Sequence, residues 1–361
     1  MNIRTVKKIA LSLLLITLIF SSVSCKKEQE PPSSSEPAVS SSEPAPSSEP
    51  QLPKGNINPL TGLYDLSDSA VGMRPFAVMI NNVSAAQAVQ SGLSCADIVY
   101  EALVEGGITR LMALFGDPAE AGELGSVRSA RYVYTDLAAG HDAIYVHAGG
   151  DPVYAMPHVS ETGLDAFNID DKYSYASHRV DNGLPYEHRL FTSGAELMDA
   201  LEKSGVQKEI ADEYKSPVFD FALPDESAKL SGGKAENVHV AFSDYYYSDY
   251  VYDPAGKNYL KSQNGQPHID HFNDKQLSVK NIFVLFTDVG FYPDNLHLKI
   301  GLDSGTGYYY SEGNEVEILW EKGGYDDRLK LKKADGSPLT VNAGNSWISL
   351  GPESHSASFS D

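Results

Sequence analysis

The amino-acid sequence predicts an α/β protein, in which a mixed-sheet N-terminal domain with flanking helices packs against a mostly antiparallel β C-terminal domain. Two patterns support this fold class. Before residue 205, apolar runs typical of buried strands alternate with helical patterns. After residue 238, short strand-like runs follow one another, with turn signals such as Asn264-Gly265 between them, which indicates antiparallel pairing.

Residues 1–24 predict a lipoprotein signal peptide. A basic start precedes an apolar run over residues 9–20, which is shorter than the about 20 residues that a bilayer-spanning helix needs. Small residues then lead to Cys25, the predicted lipidation site, which would anchor the chain to the outer face of the cell membrane. The alternative is an ordinary signal peptide followed by a chance cysteine.

Residues 25–56 predict a disordered Ser/Pro/Glu tether, because so few apolar groups cannot offset the entropy of ordering the chain. The net charge of −21 argues against a nucleic-acid partner, which requires a basic face. Cys95 is the other cysteine of the chain. No motif around it would activate a thiolate, so we expect a small buried side chain there.

The α/β domain is predicted over residues 57–205. Its apolar runs predict strands over residues 76–80, 98–102, 108–115 and 143–146. Helical patterns cover residues 84–95 and 132–140, and a third helix is predicted over residues 194–204, where Ser193 and Glu196 form a capping box. Residues 153–192 are irregular and rich in Tyr, His and Asp.

Residues 206–237 mix charges with Pro and Gly and predict a connection to the second domain, which covers residues 238–352. The predicted strands of this domain are residues 238–242, 249–252, 258–261, 281–286, 296–300, 307–310, 316–320, 329–331 and 347–350.

Several segments of the chain resemble one known family. They are RPFAVMINN at residues 74–82, SGL at 91–93, ADIVYE at 96–101, EGGITR at 105–110, GSVRSAR at 125–131, PHID at 267–270, NIFV at 281–284, GTG at 305–307 and GNSWI at 344–348. They resemble the YerB-like bacterial lipoproteins, whose domain has no assigned function. The resemblance covers roughly residues 57–350 and implies a mixed α/β domain packed with a β domain, and no established reaction.

Arg128 and Arg131 are the leading candidates for a binding site, because they flank the start of the helix predicted from residue 132. A helix N-terminus attracts anions, and guanidinium groups match phosphate or carboxylate oxygens. Arg110, on the neighbouring strand, is expected to join them. The competing interpretation is that these arginines pair with internal acids such as Glu101, Glu105 or Asp136 and hold the fold.

The candidate ligand-binding set therefore contains Arg110, Arg128 and Arg131, together with Asp151 and His188 from the same 105–190 region. We expect a non-enzymatic binding or scaffold protein of the cell envelope that holds a partner protein or an anionic wall precursor. No cofactor is predicted.

The alternative function is an enzyme. The strand followed by paired arginines resembles, in layout, the core of the LytR-CpsA-Psr phosphotransferases. That likeness implies an enzyme that acts on polyprenyl-pyrophosphate-linked polymers, with the arginines clamping pyrophosphate and Asp136 or Asp151 helping to hold a cation.

Two further groups of residues have competing interpretations. His268 and Asp270 share one strand face, as a metal site could use, but no metal motif accompanies them and structural hydrogen bonding is favoured. The tyrosine runs at residues 245–247 and 308–310 suit either glycan or protein recognition, or packing at the domain seam.

Overall fold

A computed structural model describes residues 54–353 and the backbone of residues 358–360. They belong to one compact unit, Leu52–Asp361. The predicted signal peptide, Cys25 and most of the predicted tether lie outside the described residues.

The described part of the chain contains these helices and strands, in chain order. The helices are α1 (Ser84–Gln87), α2 (Tyr132–Ala139), α3 (Ala155–Thr162) and α4 (Gly194–Ser204). The strands of the first half are β1 (Phe76–Asn81), β2 (Ile98–Val104), β3 (Ile108–Phe115), β4 (Glu123–Gly125), β5 (Ile144–His147), β6 (Ala166–Asn168), β7 (His178–Arg179), β8 (Leu190–Ser193) and β9 (Asp220–Phe221). Those of the second half are β10 (Asn237–Ser243), β11 (Tyr246–Asp253), β12 (Asn258–Gln263), β13 (Gln266–Pro267), β14 (Ile269–Asp270), β15 (Lys275–Gln276), β16 (Ser278–Val279), β17 (Asn281–Phe286), β18 (Val289–Phe291), β19 (Leu298–Ile300), β20 (Ser304–Ser311), β21 (Asn314–Glu321), β22 (Lys330–Lys333), β23 (Thr340–Val341), β24 (Ser346–Gly351) and β25 (Ser358–Ser360).

A ten-stranded mixed sheet forms the centre of the molecule, in the order β22-β21-β20-β17-β24-β2-β3-β1-β5-β6. Five of its strands, β1, β2, β3, β5 and β6, come from the first half of the sequence. They join the second half where β2 pairs with β24 in parallel, with Tyr100 opposite Ile348. The two halves of the chain therefore share one hydrogen-bonded sheet, in addition to packing against each other.

Both faces of the central strands β1, β2 and β3 are buried, which explains why these strands are apolar along most of their length. Alternate residues of β1 enter two separate cores: Phe76, Val78 and Ile80 on one side, and Ala77 and Met79 on the other. The first core is covered by α4 and by a second sheet of order β13-β12-β11-β10-β25, while α2 and α3 cover the second core. The mixed α/β class predicted from sequence is confirmed.

Most predicted elements of the first half are confirmed, and two predictions are wrong. Residues 153–192, predicted to be irregular, contain the helix α3 and the strands β6 and β7. β3 has the predicted bounds, and α4 begins after Ser193, whose hydroxyl accepts a hydrogen bond from the backbone N–H of Glu196. The helix predicted over residues 84–95 ends at Gln87. Ser91 instead exchanges two backbone hydrogen bonds with Gly125, at 2.7 and 3.0 Å, and Gly92 has a φ of 89° that a helix does not allow.

Cys95 is exposed, so the predicted burial of this residue is wrong. It lies at the end of the short 3-10 turn that replaces the predicted helix. The tyrosine runs mainly serve packing: Tyr246, Tyr309 and Tyr310 are buried, whereas Tyr245 is 59% exposed.

A buried polar network joins the two sheets. Glu101 of β2 and Lys261 of β12 are both fully buried, and the Lys261 Nζ lies 4.0 Å from the Glu101 Oε2. The same Oε2 accepts a hydrogen bond from the Trp347 indole at 2.8 Å. The Lys261 Nζ also donates to the Ser248 hydroxyl at 2.9 Å, and burial lowers its pKa to about 8. A lone charge at either position would be costly, so the network depends on all its members.

We expect Asp97 to make the protein less stable as the pH rises from about 4 to about 7. Burial of this carboxyl, with the charges of Asp65 and Asp117 adding to it, raises the pKa of Asp97 to about 7. Within that range the folded state binds more protons than the unfolded state, so the free energy of unfolding falls as the pH rises. The free energy of unfolding, measured by urea denaturation across this pH range, should therefore depend less on pH in Asp97→Asn than in the wild type. An unchanged slope would contradict this assignment.

Candidate functional site

Three arginine side chains meet at one end of the central strands. Arg110 lies on β3, while Arg128 and Arg131 lie on residues 126–131, the segment that leads into α2. This segment is bound on both sides: the N–H of Arg128 donates to the Met79 carbonyl of β1, and the Arg128 carbonyl accepts from the N–H of Ala148, both at 3.0 Å. The sheet therefore holds the backbone beneath the arginines in place.

Arg110 is a buried cation in the candidate site. It is 5% exposed, and its Nη1 donates to the Ser129 carbonyl at 2.8 Å. Within the described part of the chain, its Nε has no hydrogen-bond partner. Burial, followed by the like charges of Arg131 and Arg128, lowers the pKa of Arg110 to about 9. The three guanidinium groups are therefore close enough to repel one another.

Arg128 is half-buried, and it donates a hydrogen bond to a backbone group. Its Nη1 donates to the Glu187 carbonyl at 3.2 Å, and its buried Nε has no hydrogen-bond partner among the described residues. Burial lowers the pKa of Arg128, the nearby Glu187 charge opposes this shift, and Arg131 adds to it. Arg128 thus retains donor capacity for a ligand.

Arg131 has a carboxylate partner within the protein. Its Nε lies 2.8 Å from the Glu105 Oε2, and its Nη1 donates to the Ala130 carbonyl. Burial raises the pKa of Glu105, but the charge and hydrogen bond of Arg131 outweigh this effect and leave the pKa lowered. The pairing predicted by the competing interpretation is therefore present for Arg131 through Glu105. Glu101 and Asp136 have other partners, Trp347 and His158.

His188 lies beside Arg128 and is buried. Its Nδ1 is 2.7 Å from the Asn81 amide nitrogen, which makes this ring atom the acceptor and places the proton of the neutral ring on Nε2. Burial and then the Arg128 charge lower the pKa of His188. The neutral ring can donate one hydrogen bond without adding a fourth charge to the site.

Asp151 is close to the arginine segment, but its carboxylate is occupied. It accepts hydrogen bonds from three backbone N–H groups at the start of α3, those of Val153, Tyr154 and Ala155, at 2.8 to 3.2 Å. His297 adds a contact at 3.2 Å. Asp151 therefore serves as a cap for α3, and neither of its oxygens is left free to hold a ligand or a cation.

An aromatic cluster, formed by Tyr132, Tyr154 and Tyr292, lies next to Arg131. The Tyr154 and Tyr292 rings stack with centroids 3.9 Å apart, and Tyr132 lies 6.0 Å from Tyr292. Tyr292 and His297 arrive on the β18–β19 hairpin of the second half of the chain. Sequence reasoning missed these two residues, because no local pattern indicates which distant hairpin reaches the site.

The residues considered for a metal site have structural roles. His268 contacts the Lys261 ammonium and the Gln90 side chain, while Asp270 accepts hydrogen bonds from the N–H groups of Gly92 and Ser94. Among the described residues, no three His, Cys, Asp or Glu side chains are grouped as a metal ion would require. Structural hydrogen bonding, the favoured interpretation of His268 and Asp270, agrees with these contacts.

No helix within residues 54–353 has the length and apolar character needed to cross a membrane.

Comparison with known families matches residues 60–207 to the N-terminal domain, and residues 238–348 to the C-terminal domain, of the protein of unknown function DUF3048. The N-terminal match contains all three arginines of the site.

A relative from Bacillus subtilis (strain 168), named "Putative lipoprotein YerB", is 31% identical over 306 residues, covering 84% of this chain and 88% of the relative. The crystal structure of YerB from Bacillus subtilis superposes with a TM-score of 0.71 at 30% identity, covering 84% of this chain and 99% of that one. These matches confirm the predicted resemblance, and the chain belongs to the DUF3048 family of YerB-like proteins.

Proposed function

We propose that this protein is a lipid-anchored envelope protein that binds an anionic ligand, without chemical conversion, among Arg110, Arg128 and Arg131. The ligand class is a phosphate- or carboxylate-bearing envelope component, because guanidinium groups bind both kinds of oxygen through paired hydrogen bonds. His188 contributes a neutral donor at the edge of the site.

The burial of Arg110 is the observation that carries this proposal. A guanidinium removed from water is stable only when charges and acceptors compensate it. The described hydrogen-bond partner of Arg110 is one carbonyl oxygen, and its charged neighbours are Arg131 and Arg128, opposed by Glu105. Glu105 offsets one of the three charges through Arg131, so a bound anion would stabilise the remainder.

The envelope location rests on two observations. The sequence before the folded unit has the pattern of a lipoprotein signal that ends at Cys25. The Bacillus subtilis relative carries a lipoprotein name. Because the chain has a net charge of −21, most of its surface would repel an anionic ligand. Binding of such a ligand therefore requires a local cationic site.

We expect Arg128→Ala to weaken the binding of inorganic phosphate by about tenfold or more, the size of one charge-assisted hydrogen bond. Isothermal titration calorimetry measures this on the chain from residue 26 onward, which contains the whole compact unit. Arg128 is half-buried and is not part of a core, so the variant should fold normally.

The matched control is Lys330→Ala, which removes one exposed positive charge from β22, at the far edge of the ten-stranded sheet. Its affinity for phosphate should stay within about twofold of wild type, because solvent and salt screen a distant exposed charge. Equal weakening in both variants would indicate general charge attraction and contradict a specific site. Turnover of a polyprenyl-pyrophosphate analogue with a divalent cation, lost in Arg128→Ala, would replace the binding role with an enzymatic one.

A further inference from the structure

A cavity separate from the arginine site lies where the start of the fold meets the connecting segment and the β21–β22 loop. Its volume is about 380 Å³, and its walls include Leu60, Leu66, Met73, Ile210 and Val218. Most of the surface that lines the cavity is apolar. This size falls within the range of about 300–1,000 Å³ that small-molecule sites occupy.

The cavity also has polar lining residues, His141, Tyr214, Lys215 and Arg328. The Lys215 Nζ lies 2.5 Å from the Asp212 Oδ1, so this charge already has a partner. His141 is 7% exposed, and its Nε2 is 2.8 Å from the Tyr100 hydroxyl. In the part of the chain that the structure describes, its Nδ1 has no hydrogen-bond partner. Burial, with the charges of Arg328 and Lys322 adding to it, lowers the pKa of His141 to about 3, so the ring is neutral at physiological pH. When the Tyr100 hydroxyl donates to Nε2, the neutral ring carries its N–H on Nδ1.

Arg328 supplies the positive charge of this cavity. Its guanidinium donates to the carbonyl oxygens of Tyr214, Ser216 and Pro217, and its buried Nε has no hydrogen-bond partner within the described residues. Burial lowers the pKa of Arg328. No described carboxylate forms an ion pair with it within 4.0 Å, which distinguishes Arg328 from Arg74 and Arg131.

We infer that this cavity, with its volume of about 380 Å³, binds a small amphipathic monocarboxylate. Its apolar part packs against Leu60, Met73 and Val218, and its carboxylate lies beside Arg328 and His141. Because Lys215 is paired with Asp212, the cation left for a ligand is Arg328. Together with the neutral His141 ring in an apolar wall, it complements one carboxylate on an apolar body. A sugar or a polyanion would leave its polar groups unpaired there, at a cost.

Decanoate, which has the expected size and charge, is the probe, and decan-1-ol is its uncharged counterpart. Calorimetric titration of the chain from residue 26 onward should show saturable binding of decanoate with one site. Decanoate should bind about tenfold or more tightly than decan-1-ol, because a charged hydrogen bond to Arg328 is lost in the alcohol. Equal affinity for both probes, or no saturable binding of decanoate, would overturn the inference.

Val71→Trp tests the location. Val71 lines the cavity and is 54% exposed, so a larger side chain there would obstruct the cavity without disturbing a core. Val251→Trp, at a 51% exposed residue of β11 outside the cavity lining, is the matched control. Decanoate affinity should fall about tenfold in the first variant and stay within about twofold in the second. Decanoate binding that survives Val71→Trp unchanged would place the ligand elsewhere. Binding of phosphate at the arginine cluster should be unaffected, so failure of this inference is distinct from failure of the proposed function.

Discussion

Glu101→Ala is expected to reduce the free energy of unfolding by about 3–5 kcal/mol, the range for removing one partner of a buried ion pair. The substitution leaves the fully buried Lys261 ammonium without its nearest carboxylate. It also removes the acceptor for the side chains of Asn82, Thr109 and Trp347. Urea denaturation followed by circular dichroism measures the change.

The control for this prediction is Glu321→Ala, at an exposed glutamate on β21. A surface charge of this kind should change the free energy of unfolding by no more than about 0.5 kcal/mol. Glu101→Gln, which keeps an acceptor oxygen but removes the charge, should fall between the two. A loss in Glu101→Ala no greater than in Glu321→Ala would show that the network does not hold the sheets together.

Arg110→Met is expected to abolish phosphate binding while leaving the protein as stable as wild type or more stable, by up to about 2 kcal/mol. The methionine fills similar apolar space but carries no charge. It therefore removes both the burial of a charge and the repulsion with Arg131 and Arg128, which together lower the pKa of Arg110 to about 9. The loss of the bond to the Ser129 carbonyl partly offsets this gain.

Replacing a residue whose main role is structural would have a different effect on stability. If Arg110 served mainly to hold the fold, its replacement would destabilise the protein by more than about 2 kcal/mol, as expected when a buried hydrogen-bonded group is lost. Arg74 offers that comparison, because it is buried and forms ion pairs with Asp142 at 3.1 Å and Asp165 at 2.5 Å. Arg74→Met should therefore be clearly less stable than Arg110→Met.

Elements with local signals could be predicted from the sequence. β3 is a continuous apolar run between glycines, and its buried position on both faces follows from that pattern. The bounds of α4 follow from the Ser193 capping box and from Gly205, which ends the helix with a φ of 72°. The longer strands of the second half could also be predicted, because turn signals separate them.

Contacts between distant segments could not be predicted in this way. The pairing of Ser91 with Gly125 stops the helix expected through residue 95, and no nearby residue indicates it. The parallel pairing of β2 with β24 unites the two halves of the chain over a long sequence separation. The periodicity of apolar residues within a segment indicates which of its faces are buried. It does not indicate which distant strand pairs with that segment.

The candidate site shows both cases. The proximity of Arg128 and Arg131 follows from their spacing, and Arg110 was expected beside them because it lies on the neighbouring strand. The cap formed by Asp151 and the aromatic cluster with Tyr292 depend on α3 and on the β18–β19 hairpin. Those positions arise from tertiary packing, which the sequence pattern of either segment does not contain.

The phosphate dependence of the unfolding free energy, compared between wild type and Arg110→Met, tests the binding of an anion among the three arginines most directly. A ligand that binds only the folded state adds about 2.7 kcal/mol of stability at a hundredfold excess over its Kd. Wild type should gain this stability as phosphate rises at constant ionic strength, and Arg110→Met should gain none. Equal gains in both proteins would contradict the account.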